Sequence, residues 1–525
     1  MMRDGVVDPY SLTRFAIQTS VLLTRFGEVI AGSKSEIALV EEIRRVVEDI
    51  VGSNAVIESV PVRSWYEEYC FVECGHIRIR CALQPPLKGG DVEAQATVIR
   101  SEDVLSKRLE DVSNKIAIVT MPRDVDDIGL ISRKLISMGV QGIIFVDRVD
   151  GLRRIVVVNE HVPLYGQTSA PQIPIVVVSR SVFPVLRNAE RIRISARGVD
   201  REGIGYNVLV YGGGKEKNVL YISAHHDHWF HGYTDNIVGV GIAIALLSVL
   251  LKRVKSLDVV FASFTAEEGF PQQLSPFYWS VGSRYHVRTN AERILDNVVA
   301  VLNFDAIYRP PIKLACGGLE ALAIGYMVSN DRVELDKIIF DSFSFSSLGV
   351  PTITFHSFEE ILDSGIYHST LDTHNLHVLE GIAETISMAL RVIKILSERQ
   401  ELLHKDVCEV ASRLLALRQI EAPIPLEVIK SITRALMIIE RDSLLKTCGV
   451  RRVINRLLFS HYITKQFYEE LNVREQSGFM PWNVGITEVP LGREYGSEDE
   501  VLEKLYSVAV SLDIVTDAYM LFSLQ

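Results

Sequence analysis

The distribution of apolar and polar residues divides most of the chain into helical and strand-like segments. Helical patterns at residues 14–26 and 35–51 precede short β-branched and aromatic runs between residues 55 and 82. Between residues 205 and 399, apolar strand-like runs alternate with helical runs. This alternation predicts an α/β fold with a mixed, mainly parallel sheet flanked by helices.

The first strand patterns of this region are separated by three glycines. Residues 207–211 and 218–224 flank Gly212, Gly213 and Gly214, so we expect the two strands to pair as a hairpin. A buried helical run at residues 237–251 follows the second strand. Its position makes residues 224–236 a strand-to-helix connection, which is where α/β sheets bind ligands.

A second α/β pattern lies before this region, and a helical one follows it. Residues 61–204 contain buried strand patterns and one helical run, at 115–119, 128–138, 142–146 and 173–179. After residue 398 strand patterns stop, and four helical patterns predict a bundle over residues 400–525. A chain of 525 residues is long enough for three domain-sized cores.

Composition narrows the classes of partner. The net charge of -11 disfavours nucleic acid and anionic membranes. The N-terminus has no signal-peptide pattern, and the apolar run at residues 237–251 is shorter than the roughly 20 residues that span a bilayer. We therefore expect a soluble cytoplasmic protein that binds neither nucleic acid nor membrane.

Three of the six cysteines, Cys70, Cys74 and Cys81, lie close together in sequence, with His76 among them. Their spacing fits no common zinc finger, and the alternating apolar residues around them indicate strands. We interpret them as buried thiols, with a disulfide as the main alternative and a zinc site as the remaining one.

Ionisable residues follow the C-terminal ends of successive predicted strands. They are His225, Asp227, Glu267, Glu268, Asp305 and, after a loop, His368, while Asp235 stands just before the buried helical run. Acidic and imidazole groups crowded at one sheet edge would repel each other or stay unsatisfied without a cation. Nitrogen and oxygen ligands without thiolate suit zinc, with manganese or cobalt as alternatives.

Five motifs around these residues stand in the order found in a known family. They are Ala224-His225-His226-Asp227, Asp235-Asn236-x-x-Gly239, Ala266-Glu267-Glu268-Gly269, Asn303-x-Asp305 and Tyr367-His368-Ser369-Thr370-x-Asp372-Thr373. Together they resemble the di-zinc exopeptidases that include bacterial leucyl aminopeptidase and glutamate carboxypeptidase. The resemblance covers residues 12–55 and 205–399 and implies the zinc exopeptidase fold.

The resemblance implies two divalent metal ions, which we expect to be Zn²⁺, and a peptide substrate. It places His225 and Asp305 on one metal and Glu268 and His368 on the other, although His225 with Glu268 stays open. Asp235 would be the carboxylate that bridges the two metals.

The same resemblance assigns proton transfer and positioning roles. Glu267 would be the general base that takes a proton from the attacking water and returns it to the leaving amine. Asp227 would orient His225 through its second ring nitrogen. The family pattern does not require His226, His228 or His231, so we expect these to be exposed or packing residues, with His228 or His231 in the substrate cleft as the alternative.

The order of segments resembles that of glutamate carboxypeptidase and the transferrin receptor. By this resemblance, residues 1–60 supply N-terminal helices to the peptidase domain at 205–399, and residues 61–204 form an inserted protease-associated domain. The bundle at 400–525 would form a homodimer. Its loop and the motifs suggest substrate contacts from Asn236, Tyr367, Arg493 and Tyr495.

Three functions are consistent with these residues. Aminopeptidase activity leads because Asp235-Asn236 and an intracellular setting suit peptide turnover. A carboxypeptidase would need a cationic side chain for the substrate carboxylate, with Arg284, Arg309 or Arg493 as candidates. A non-catalytic receptor-like scaffold is the third reading, which the complete set of ligands disfavours.

Overall fold

The computed structural model describes residues 2–3, 6–106, 111–125, 127–160, 167–212, 218–253, 256–329 and 331–398. The predicted bundle at 400–525, its dimer surface, Arg493 and Tyr495 lie outside the described residues.

The described helices and strands follow the α/β pattern that the sequence predicts. The helices are α1 (Pro9–Leu23), α2 (Lys34–Val51), α3 (Ser101–Leu105), α4 (Asp127–Ser137), α5 (Phe183–Leu186), α6 (Val238–Arg253), α7 (Val281–Thr289), α8 (Ala291–Asn297), α9 (Leu319–Val328), α10 (Ser342–Ser346), α11 (Phe358–Ser364) and α12 (Leu379–Glu398). The strands are β1 (Met2–Arg3), β2 (Val6–Val7), β3 (Val56–Cys74), β4 (Ile77–Arg80), β5 (Ala82–Leu83), β6 (Gly89–Ile99), β7 (Ile116–Thr120), β8 (Gly142–Val146), β9 (Ile175–Val178), β10 (Arg191–Gly212), β11 (Val219–His225), β12 (Asp258–Phe264), β13 (Phe270–Pro271), β14 (Val298–Phe304), β15 (Lys313–Gly317), β16 (Val333–Leu335) and β17 (Thr352–His356).

A mixed sheet of 15 strands organises the described chain, as the fold-class prediction requires. Its main path runs β16-β15-β17-β14-β11-β12-β10-β6-β7-β8-β9-β5. The strands β17, β14, β11 and β12 are mutually parallel, so their C-terminal ends lie along one edge. That edge is where the predicted chemistry should collect.

Each face of the β11 region buries its own core. Leu220 and Ile222 belong to the large core that includes buried residues of α1, α6 and α12. Tyr221, between them in sequence, belongs to the core on the opposite face with Phe345. Successive side chains of a strand alternate between faces, so a central strand covered on both sides is apolar throughout.

Helix α6 packs tightly inside the large core. A Cβ added at Gly241 would lie 2.7 Å from the Ala16 carbonyl oxygen of α1, which shows how closely the two helix backbones approach. The segment Tyr233–Leu251 is long and apolar enough to cross a membrane, but most of it is buried inside the protein. Its composition is thus that of a core helix.

Residues 61–204 contain the second α/β pattern that the sequence predicts. Strands β6, β7, β8 and β9 are parallel, and α4 packs with them around buried residues such as Ile118, Ile144 and Val177. Strands β3 and β10 pair with each other, and β10 also pairs with β12, so these strands join the unit to the sheet of the following region. The identity of the unit as a protease-associated domain stays a prediction.

Two predictions about strands were wrong, one about the pairing of β11 and one about the strands at residues 55–82. Strand β11 does not form a hairpin with β10; it lies between β12 and β14, while β10 pairs with β12, β3 and β6. Because β11 is buried at every position, it takes the interior of the sheet. The short strands expected at residues 55–82 are instead one long strand, β3, followed by β4 and β5.

The preferred interpretation of the clustered cysteines was also wrong. Cys70 and Cys81 form a disulfide, since the β3–β4 hairpin places their Cα atoms 5.1 Å apart. Cys74 stays a buried free thiol and His76 is exposed in the hairpin turn, so these residues do not form a zinc site.

Candidate active site

The predicted ionisable residues meet at the C-terminal edge of the parallel strands. His225 ends β11, Glu267 and Glu268 follow β12, and Asp305 follows β14. His368 follows β17 after the short helix α11. The parallel order of these strands brings residues that are far apart in sequence to one edge.

Five of these residues form two groups of candidate metal ligands that share one carboxylate. His225, Asp235 and Asp305 offer ligand atoms within 4.8 Å of one another, and so do Asp235, Glu268 and His368. Glu268 therefore groups with His368 rather than with His225, the alternative that the sequence left open.

Asp235 presents a different oxygen to each group. Its Oδ1 lies 3.4 Å from His225 Nε2, and its Oδ2 lies 3.5 Å from His368 Nε2. Asp305 Oδ1 lies 3.3 Å from His225 Nε2, and Glu268 Oε1 lies 2.6 Å from His368 Nε2. This is the arrangement that a bridging carboxylate needs.

Burial disfavours the charged forms of the ionisable side chains in this site. The side chains of Asp235, Glu267 and Asp305 are almost fully buried. Burial raises the pKa of Glu267 well above its usual value. Burial acts against a charged imidazole at His368, yet Glu268 and then Asp235 raise its pKa to about 10.

The residues present fit divalent metal ions. Glu268 joins Asp235, Glu267 and Asp305 as a fourth carboxylate, and two imidazoles balance only part of this charge. The donors are imidazole nitrogens and carboxylate oxygens, the ligand types of zinc sites. His225 Nδ1 lies 3.0 Å from the Asp227 backbone carbonyl and donates to it, which leaves Nε2 directed at Asp235 and Asp305.

The comparisons with known proteins point to one family. Residues 207–393, which contain all five grouped residues, match the model of peptidase family M28. This segment is similar to peptidase family M28, and we call residues 207–393 the M28 domain. The predicted resemblance to di-zinc exopeptidases is confirmed in this part of the chain, whereas a search of curated proteins finds no match.

Solved structures share the fold of the M28 domain and its neighbouring unit. A zinc aminopeptidase from Bacillus subtilis matches with a TM-score of 0.56 and 14% identity, covering 74% of this chain and 96% of that protein. A peptidase M28 precursor from Shewanella amazonensis matches with a TM-score of 0.56 and 17% identity, with the same coverages of 74% and 96%. At these identities the likeness shows a common fold.

Asp227 contacts His225 as predicted, but through its backbone carbonyl and not through its side chain. Its backbone carbonyl, rather than its carboxylate, binds His225 Nδ1, and the nearest carboxylate oxygen is 3.9 Å from that nitrogen. The carboxylate instead accepts hydrogen bonds from the backbone N–H groups of Glu267 and Glu268, at 2.9 and 3.1 Å. Asp227 thus positions the general-base candidate and a ligand candidate at once.

Asn236 holds the backbone of the site, and its predicted contact with substrate stays a prediction. It is fully buried, and its Nδ2 donates to the Phe304 carbonyl at 2.8 Å, which ties the Asp235 loop to the end of β14. Tyr367 stacks on the His368 ring with 3.6 Å between ring centroids. A contact of Tyr367 with substrate stays a prediction.

The other histidines of the 224–236 segment lie outside both ligand groups. His226 and His228 are buried; His226 Nδ1 lies 2.9 Å from Ser263 Oγ, and His228 lies between two backbone carbonyls. Burial lowers the pKa of His228 to about 4, and both of its ring nitrogens are engaged by the protein, so it is a packing residue. His231 is exposed.

Three functional contacts have no signal in the sequence periodicity. Asp372 accepts hydrogen bonds from the backbone N–H of Thr234, at 2.8 Å, and of Asp235, at 3.2 Å. Ser280 Oγ donates to Glu267 Oε1 at 3.1 Å, and Trp229 Nε1 donates to Glu268 Oε2 at 3.0 Å. Each fixes a side chain or backbone segment of the candidate site.

Asp235→Asn should weaken zinc binding at both ligand groups, because the substitution removes the negative charge that they share. Asp305→Asn is the matched control, since Asp305 belongs to one group only. Zinc titration of the metal-free variants, with a chelating indicator as competitor, measures both. If Asp235→Asn keeps one site at wild-type affinity, as Asp305→Asn is expected to do, Asp235 does not serve both groups.

Proposed function

We propose that this protein is a two-metal exopeptidase, and most specifically an aminopeptidase. The M28 domain supports metal-dependent peptidase activity, the coarser part of this statement. The observation that carries the finer part is the Asp235 carboxylate, which turns one oxygen to His225 and the other to His368. A single-metal centre gives no reason for a buried carboxylate between two complete ligand groups.

His225, Asp305, Glu268 and His368, with Asp235 between them, would hold two Zn²⁺ ions. When bound, the metals supply Lewis acidity that polarises the scissile carbonyl and lowers the pKa of the attacking water. The rest of the chemistry belongs to protein side chains at the sheet edge.

Glu267 is the group that would move the proton. Ser280 Oγ holds its Oε1, while its Oε2 lies 4.0 Å from His225 Nε2 and therefore faces the ligand groups. Oε2 would accept the proton of the attacking water and deliver it to the leaving amine.

An aminopeptidase is favoured over a carboxypeptidase because Arg284, one of the two candidate arginines in the M28 domain, is engaged by the protein itself. The Arg284 guanidinium donates to the carbonyls of Phe277 and Trp279 at 2.9 and 2.7 Å and lies 3.9 Å from the Phe277 ring centroid. Binding a substrate carboxylate would compete with these contacts. A solved protein of the same fold is described as a zinc aminopeptidase.

Carboxypeptidase action is the second candidate function, with Arg309 and Arg493 as its remaining cation candidates. Arg309 is exposed, and its guanidinium lies 4.5 Å from the Tyr308 ring centroid. A homodimer through the C-terminal helices, a cytoplasmic location, and the absence of nucleic-acid and membrane partners stay predictions.

Glu267→Gln should lower kcat by roughly 10²- to 10⁴-fold, the usual contribution of a general base, and leave zinc binding intact. The amide keeps the size of the side chain and removes its capacity to accept the proton. Steady-state kinetics and zinc content measure the two effects, with Glu380→Gln on the exposed surface of α12 as the control. Wild-type kcat in Glu267→Gln would refute the role.

Cleavage of end-blocked dipeptides separates the candidate functions. The zinc-loaded protein should hydrolyse carboxyl-amidated dipeptides and leave amino-acetylated ones intact, because an aminopeptidase needs the free amine. Chromatography of the products measures both reactions. The opposite preference would establish a carboxypeptidase, and no cleavage by a protein with its full zinc content would favour a scaffold.

A further inference from the structure

The unit at residues 61–204 contacts the loop that carries His368. Residues 152–154 run antiparallel to residues 368–370, with a bridge between Arg153 and Ser369. Arg154 N donates to the His368 carbonyl at 3.0 Å, and Thr370 N donates to the Leu152 carbonyl at 2.9 Å. The backbone of His368 is therefore fixed by an extended segment from outside the M28 domain.

Arg153 strengthens this contact from a buried position. Its side chain is 1% exposed and pairs with Asp147, with 2.8 Å between Nε and Oδ2. The same guanidinium donates to the carbonyls of Gly365, at 2.7 Å, and Tyr367. Both carbonyls lie in the loop just before His368, so the unit holds this loop through side-chain and backbone contacts.

Glu268, which is grouped with His368, is held by Trp229, and Trp229 packs into the core of this unit. Trp229 Nε1 donates to Glu268 Oε2 at 3.0 Å. The indole of Trp229 makes an edge contact with Trp65, with ring centroids 6.0 Å apart, and Trp65 Nε1 donates to the Leu87 carbonyl. Leu87 and Trp65 both lie in the unit at residues 61–204. The packing of Trp65 against Trp229 therefore orients Trp229 and, through it, Glu268.

The other ligand group is supported within the M28 domain itself. His225 and Asp305 lie at the ends of neighbouring parallel strands, β11 and β14. His225 is oriented by the Asp227 carbonyl, and the backbone N–H of Asp305 donates to the Phe355 carbonyl. Among the described residues, no hydrogen bond from residues 61–204 reaches His225 or Asp305.

We propose that the unit at residues 61–204 is a structural part of the Glu268–His368 metal site and not of the His225–Asp305 site. Trp229 and Arg153 are the positioning residues. The inference rests on the proposed two-metal centre. It follows that the ligands the two sites do not share differ in what they depend on: Glu268 and His368 require this unit to be docked on the M28 domain, whereas His225 and Asp305 are held by the parallel sheet.

Trp229→Phe tests the inference, because phenylalanine preserves an aromatic ring against Trp65 and removes the N–H donor to Glu268. Zn²⁺ alone is titrated into the metal-free wild-type and variant chains against a chelating indicator. The affinity of one site should fall by roughly 10- to 100-fold, as is usual when a partner of a metal ligand is lost, while the other site keeps its affinity.

Arg153→Met combined with Asp147→Asn removes the buried ion pair without leaving either charge unpaired. This double variant should weaken the same site as Trp229→Phe. Val177→Ala, in the core of the unit and away from the His368 loop, controls for general destabilisation and should bind Zn²⁺ as the wild type does. Thermal unfolding of the metal-free chains confirms that each variant is folded.

The outcomes separate the inference from the proposal beneath it. A wild-type chain that binds fewer than two zinc ions overturns the two-metal centre. Suppose that the wild type binds two zinc ions. If the affinities of both sites are then unchanged in Trp229→Phe, or fall equally, the assignment of residues 61–204 to one site is wrong.

Discussion

The candidate site depends on one buried carboxylate between two imidazoles. Asp235 turns Oδ1 toward His225 and Oδ2 toward His368, and the shared position links the end of β11 to the loop after α11. The imidazoles of His225 and His368 beside it lower the pKa of the Asp235 carboxyl despite its burial. Asp372 holds the backbone of Asp235, so that the two carboxylate oxygens of Asp235 face different histidines.

Much of this arrangement could be predicted because parallel strands have a simple sequence pattern. Central strands are apolar throughout, so the first ionisable residue after each marks the sheet edge: His225 after β11, Asp305 after β14 and the Glu267–Glu268 pair after β12. Asp235 follows no strand directly. Its place came from the resemblance to the exopeptidase motifs, and the match to peptidase family M28 confirms that resemblance.

The rest depends on contacts between distant parts of the chain, which periodicity does not encode. Asp372 holds the backbone of Asp235 from 137 residues away, and Arg153 reaches the Tyr367 carbonyl from 214 residues away. The position of β11 between β12 and β14 is set by burial on both faces, which local turn residues could not reveal. Asn236, adjacent to Asp235 in sequence, is buried and donates to the Phe304 carbonyl at the end of β14.

Anomalous X-ray diffraction from crystals of the zinc-loaded protein tests the central claim most directly. Data collected on both sides of the zinc absorption edge should give two peaks, one beside His225 and Asp305 and one beside Glu268 and His368, with the Asp235 carboxylate between them. A single peak at full zinc loading, or two peaks of which only one contacts Asp235, would contradict the account.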